Sequence, residues 1–124
     1  MPPPRLRPSR SRAELQPRLR FGFGEADAFG PGKAELLRRI AATGSLRAAA
    51  AQMGMSYNRA WTLMRAMNGQ FRSPLVSVVR GGAVGGGATL TAAGRAVLAR
   101  YENMERACRR ATRSDWSALR RLLR

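Results

Sequence analysis

A chain that carries two short helices with a three-residue break between them has few folds open to it, and residues Thr43 to Tyr57, T-G-S-L-R-A-A-A-A-Q-M-G-M-S-Y, read as that arrangement. Ser45 is placed to cap the first helix, because its hydroxyl can accept from a free N–H of the first turn. Leu46, Ala49, Ala50 and Met53 recur at helical spacing and form a narrow apolar face, mostly alanine. Side chains that small let a second helix cross at close range. Gly54 stands where the chain leaves the first helix and a positive φ is commonly required. Ser56 is a second N-cap, opening a helix expected from Tyr57 to about Phe71. Joined this tightly, the pair is a helix-turn-helix, whose second helix enters the DNA major groove.

The charge agrees with a polyanionic partner. The chain of 124 residues holds 23 Lys plus Arg against 7 Asp plus Glu, a formal charge of +16. Every cation except Lys33 is arginine, the residue suited to bidentate phosphate and guanine contacts. There is no histidine and a single cysteine, Cys108, which excludes an internal disulfide and any Cys/His zinc site. No metal and no cofactor are expected. No apolar run approaches the roughly 18 residues of a membrane span, and the N-terminus lacks the apolar core of a secretory signal. A cytoplasmic protein without membrane contact is therefore expected.

The chain divides into three parts. Residues 1–12, Pro- and Arg-rich, are expected to form a disordered basic arm. Residues 13–91 are expected to form a winged helix-turn-helix DNA-binding domain. Arg18-Leu19-Arg20-Phe21 alternates and suggests a short strand with Leu19 and Phe21, or their neighbours, inward, broken by Gly22 and Gly24. A helix from about Lys33 to Ala42 follows, with Leu36, Leu37 and Ile40 as its core stripe and Gly44 at its end. In the second helix of the motif, Ala60, Leu63, Met64, Met67 and Phe71 make the inward face, with Trp61 at its edge as a core anchor.

Past Pro74, Leu75 to Arg80 is a β-branched run that reads as a strand, and Ala88-Thr89-Leu90 reads as another. The glycine-rich loop Gly81 to Gly87 between them makes the wing of a winged helix, with the strand around Leu19 as a candidate third strand. A nucleotide P-loop is excluded, because no lysine follows the glycines and a strand rather than a helix comes next.

Residues 92–124 are expected to form a helical dimerisation segment. Thr91 caps a helix from about Ala92 to Ala111. Along it Gly94, Val97, Tyr101, Met104, Cys108 and Ala111 alternate three and four apart, an a/d seam of nearly three heptads. A seam that long on a small domain is either packed on the body or shared with another subunit, and its length favours the second, with Val97, Tyr101, Met104 and Cys108 as the dimer residues. Ser114 and Asp115 are candidate caps for a last helix, with Trp116, Leu119 and Leu123 on one face.

From Phe29 to Glu105 the sequence resembles the N-terminal DNA-binding domain of the ModE-type molybdate-responsive regulators. It resembles the winged helix of LysR-type regulators more distantly. The stretches that carry the resemblance are G-P-G-K-A-E-L-L-R-R-I, T-G-S-L-R-A-A-A-A-Q-M-G-M-S-Y-N-R-A-W, M-N-G-Q-F-R-S-P-L-V, G-G-A-V-G-G-G-A-T-L-T-A-A-G and L-A-R-Y-E. The resemblance implies a homodimer joined through its N- and C-terminal helical parts, with Ser56 to Arg65 reading DNA. Members commonly add a molybdate-binding module, and this sequence ends at Arg124 without one. Molybdate binding is therefore not expected from this chain alone.

The fold expected is thus mainly α with a small β-wing, and double-stranded DNA is the expected partner of a homodimer. The residues expected on DNA are Ser45 and Arg47 at the first helix of the motif, and Ser56, Tyr57, Asn58, Arg59, Thr62 and Arg65 on the second. Arg80, Gly85 and Gly86 are expected to contribute from the wing. Arginine suits guanine, asparagine suits adenine, and hydroxyls suit either. The competing reading is a basic protein that coats DNA without sequence preference. An enzyme is not expected, since no nucleophile–base pair is visible.

Overall fold

The computed structural model describes residues 13–24, 27–79 and 87–124. In chain order the elements are α1 (Pro31–Thr43), α2 (Leu46–Gln52), α3 (Tyr57–Gln70), β1 (Val76–Val79), β2 (Gly87–Leu90), α4 (Ala92–Ala111) and α5 (Arg113–Leu122). This is a mainly helical winged helix-turn-helix with a long C-terminal helix. Residues 1–12 and Arg80, Gly85 and Gly86 lie outside the described residues.

Local chemistry sets the element ends. Pro31 opens α1, two residues before the expected start, where its missing N–H and fixed φ cost nothing. Gly44 closes α1 at φ 70°, its N–H donating to the Ile40 carbonyl. Ser45 accepts from the Ala48 N–H, and Ser56 from the Arg59 N–H, each at 3.1 Å. Between them Gly54 takes φ 67°. There the Met55 N–H donates to Ala50 and the Gly54 N–H to Ala51, at 3.0 and 3.2 Å. Those two bonds make a Schellman motif, which turns the chain into α3 within three residues.

α1, α2 and α3 pack around Leu36, Leu37, Ile40, Leu46, Met64 and Met67, with Ala49, Ala50 and Ala60 at the close helix contacts. The antiparallel pair β1–β2 runs in register from Val76 opposite Leu90 to Val79 opposite Gly87. It closes one side of the core with Leu75, Val76, Ala88 and Leu90. Asn68 holds the α3–β1 turn. Its Oδ1 accepts from Leu75 and Val76 at 2.9 and 3.1 Å, and its Nδ2 donates to the Val76 carbonyl at 3.1 Å.

The strand expected around Leu19 does not join this sheet. Positive φ at Gly22 and Gly24 turns the chain so that Phe21 and Phe29 form an isolated antiparallel bridge. The outward-facing Ala88 N–H of β2 is meanwhile taken by the Gly44 carbonyl at 2.9 Å. Leu19 is half-buried on the core, as expected, but Phe21 is 40% exposed.

α4 spans about 30 Å at the usual rise and divides in two. Its first half lies on the core. Gly94 is buried against Leu75, and Tyr101 is 1% exposed beside Phe29, their rings edge to face at 5.5 Å. The Tyr101 hydroxyl donates to the Leu19 carbonyl at 2.8 Å and ties the N-terminal segment down. The second half and α5 are largely exposed. α5 starts from Thr112, two to three residues before the expected caps, Ser114 and Asp115, and buries no residue. Among the described residues no helix is long and apolar enough to cross a membrane.

Candidate nucleic-acid interface

Capping places the two helix starts that matter, and the apolar stripes decide which sides of them remain open. Ala60, Met64 and Met67 turn one side of α3 inward. Tyr57, Asn58, Arg59, Thr62 and Arg65 are consequently exposed, together with Ser56 at the cap and Arg47 on the first turn of α2. Ser45 is half-buried with its hydroxyl engaged by the cap. Thr62 donates its hydroxyl proton to the Asn58 carbonyl at 3.0 Å, which leaves its oxygen as an acceptor only.

Among the described residues the ion pairs lie elsewhere. Arg38 meets Glu35, Glu102 and Glu105 at 2.9, 3.5 and 2.8 Å, and Arg39 meets Glu35 at 2.8 Å. That cluster links α1 to α4. Burial alone would raise the Glu35 pKa, but hydrogen bonds from Arg38 and Arg39 and their charges hold it below its ordinary value. Three of the chain's seven acids are therefore spent away from the motif. Arg47, Arg59 and Arg65 are left without an acidic partner among the described residues.

The structure also assembles a feature that sequence reading missed. The Arg47 guanidinium lies 4.5 Å from the centroid of the Tyr57 ring. Tyr57 stacks in turn with Trp61 at 6.3 Å and 29°. Trp61 packs against the core, as expected of an anchor, and also carries this stack. The i, i+4 spacing of Tyr57 and Trp61 was the available signal. Arg47, Tyr57, Asn58 and Trp61 line a cleft of about 450 Å³ against Val78 and Ala88 of the sheet.

The residues expected at a dimer seam separate. Val97 is half-buried on the protomer's own core, and Tyr101 is inside it. Tyr101 is thus corrected from a seam residue to a core residue, because the body of the domain reaches that far along α4. Met104 is 48% exposed and Cys108 half-buried.

Residues 32–95 match the family model described as bacterial regulatory helix-turn-helix protein, lysR family. The chain belongs to that family. The molybdenum-pterin-binding protein MopB of Rhodobacter capsulatus is 43% identical over 76 residues, 61% of this chain and 28% of the relative. MopA of the same organism is 37% identical over 86 residues, 69% of this chain and 32% of its own. The DNA-binding transcriptional dual regulator ModE of Escherichia coli K12 is 38% identical over 72 residues, 58% of this chain and 28% of its own. The chain therefore spans about a third or less of the length of these curated relatives. The similarity covers the part that holds the helix-turn-helix.

Proposed function

We propose that this protein is a non-enzymatic, homodimeric transcriptional regulator that reads an inverted repeat in the DNA major groove. The observation that carries the reading is the exposed side of α3. It brings Ser56, Asn58, Arg59, Thr62 and Arg65 together, free of ion pairs among the described residues, on the scaffold of a regulatory family. Two such helices in successive major grooves require half-sites about one turn, 34–36 Å, apart. What supports a second copy is the exposed apolar surface of the C-terminal helices, where Met104, Leu119 and Leu122 are 48%, 57% and 79% exposed. A link to molybdenum is part of the proposal, because relatives carry that word in their names.

Selection of bound duplexes from a random pool near physiological salt, with and without molybdate, tests the reading. The expected product is an inverted repeat. Arg59→Ala or Arg65→Ala then costs about 1–3 kcal/mol if the residue meets a guanine, and relaxes the preference at that base. Uniform recovery of all sequences, lost steeply as salt rises, supports the other reading, a non-specific coat, which the +16 charge favours.

A further inference from the structure

The cleft between α2, the start of α3 and the sheet has a lining of two kinds. Arg47, Ser45 and Asn58 supply polar groups, whereas Tyr57, Trp61, Val78 and Ala88 supply aromatic and apolar surface. The three large side chains are linked in series. Trp61 is packed on the core, Tyr57 stacks on Trp61, and Arg47 lies over Tyr57. Among the described residues no acceptor takes an Arg47 N–H, so the guanidinium is held in place with its hydrogen bonds unspent. An exposed arginine ordinarily samples many rotamers and forfeits that freedom on binding. Here the stack on Tyr57 restricts part of that freedom before any encounter.

We infer that Arg47 is a preorganised contact to the DNA backbone. The cleft takes one phosphodiester with its deoxyribose, the guanidinium donating to a phosphate oxygen and the apolar lining packing against the sugar. Tyr57 is then a positioning residue that acts through Arg47, not a base reader. Two arguments separate this from base readout. Arg47 sits on the first helix of the motif, which crosses the backbone when the second lies in the groove. The far wall of the cleft is the sheet, at Val78, Val79, Gly87 and Ala88, so the cleft opens beside the start of α3 and not along its length. A backbone unit is itself anionic on one side and apolar along the sugar, which matches the division of the lining. The inference rests on the DNA-binding reading above and assigns one of its contacts.

The test uses the full chain and the duplex recovered by selection, rebuilt with single methylphosphonate linkages that each remove one phosphate charge. Wild type is expected to lose about tenfold in affinity at one linkage per half-site. Arg47→Ala is expected to lose about tenfold on the unmodified duplex and to be indifferent to that linkage. Tyr57→Ala, which keeps the charge but loses the stack, should lose about two- to fivefold and respond less than wild type to that linkage. Tyr57→Phe should bind as wild type, and the double variant R47A/Y57A should be no weaker than R47A. Base preference stays the same in all of them. The inference is overturned if Arg47→Ala keeps the wild-type response at every linkage, if it changes base preference, or if the two losses add. If selection returns no preferred sequence, the regulator reading fails separately. The backbone contact is then read on any duplex, as a fall of about 0.9 in the salt slope for Arg47→Ala and a smaller fall for Tyr57→Ala, which keeps the charge. An unchanged slope overturns it.

Discussion

A methyl group at Gly94 would force α4 away from the sheet, and its effect can be worked out from the surroundings. A Cβ there would lie 2.1 Å from the Leu75 carbonyl oxygen and 3.0 Å from its carbonyl carbon. Helix and strand would have to part by roughly an ångström in a close-packed interior. The carbonyl is not free to swing aside, because it accepts the Thr91 N–H at 2.9 Å. The neighbouring atoms are held as well. The Leu75 N–H donates to Asn68 at 2.9 Å, and the Thr91 hydroxyl donates to the Pro74 carbonyl at 2.6 Å while accepting from Gly94 at 3.0 Å. Against this, alanine inside a helix is worth about 1 kcal/mol over glycine. Overpacking costs about 1–3 kcal/mol or more, and one or two weakened hydrogen bonds add about 1 kcal/mol each. The balance is a net loss of about 2–3 kcal/mol for Gly94→Ala. At about 4 °C per kcal/mol for a domain of this size, Tm falls by about 8–12 °C. Thermal and urea unfolding should be compared at one protein concentration, since self-association would shift both. Gly69→Ala is the control: nothing lies within 4 Å of a Cβ there, so that variant should match or slightly exceed wild type. A Gly94→Ala protein that melts at or above wild type refutes the packing argument.

Tyr101→Phe removes the hydroxyl that donates to Leu19 at 2.8 Å and should cost about 1 kcal/mol. It should also speed protease cleavage within residues 13–20, and an unchanged cleavage rate would mean that other contacts hold that segment. Glu35 has a depressed pKa in the folded state relative to its ordinary 4.5, so its contribution to stability is present above that value and lost as pH falls through the lower folded one. Urea midpoints measured from pH 7 down to pH 3 should fall less steeply for Glu35→Gln than for wild type, and identical slopes would remove the Arg38–Arg39 cluster as the cause.

The helix-turn-helix was legible because its signals are local. Two serines that cap, a glycine that must take positive φ and a stripe of alanines act within a few residues of where they stand, so Ser45, Gly54 and Ser56 do in the structure what their neighbours require. The strand around Leu19 failed for the opposite reason. Alternation marks a segment that is half-buried, but it carries no information about which sheet edge is free. Here the outward Ala88 N–H of β2 was already bonded to Gly44, a residue 44 positions earlier. Asn68 was invisible for a related reason. A side-chain amide that spans a turn by three hydrogen bonds leaves no periodic trace. Trp61 was read for its packing, yet its partner four residues back turned the ring into one layer of the Arg47 stack.

The long stripe on α4 shows where periodicity stops being informative. A heptad seam reports which side of a helix is apolar, and is silent about whose atoms cover it. The first covered positions, Gly94 and Tyr101, meet the same protomer, at Leu75 and at Phe29 and Leu19. After Tyr101 the body of the domain runs out, and the next seam position, Met104, is half exposed. α5 continues the uncovered surface with Leu119 and Leu122. The ion cluster marks the same boundary, since Glu102 and Glu105 are the last α4 side chains that reach α1 through Arg38. A stripe read as one interface thus meets two different surroundings. One half builds the domain that carries α3. The other half, from Met104 onward, extends past that body, with Met104 48% exposed and Cys108 half-buried.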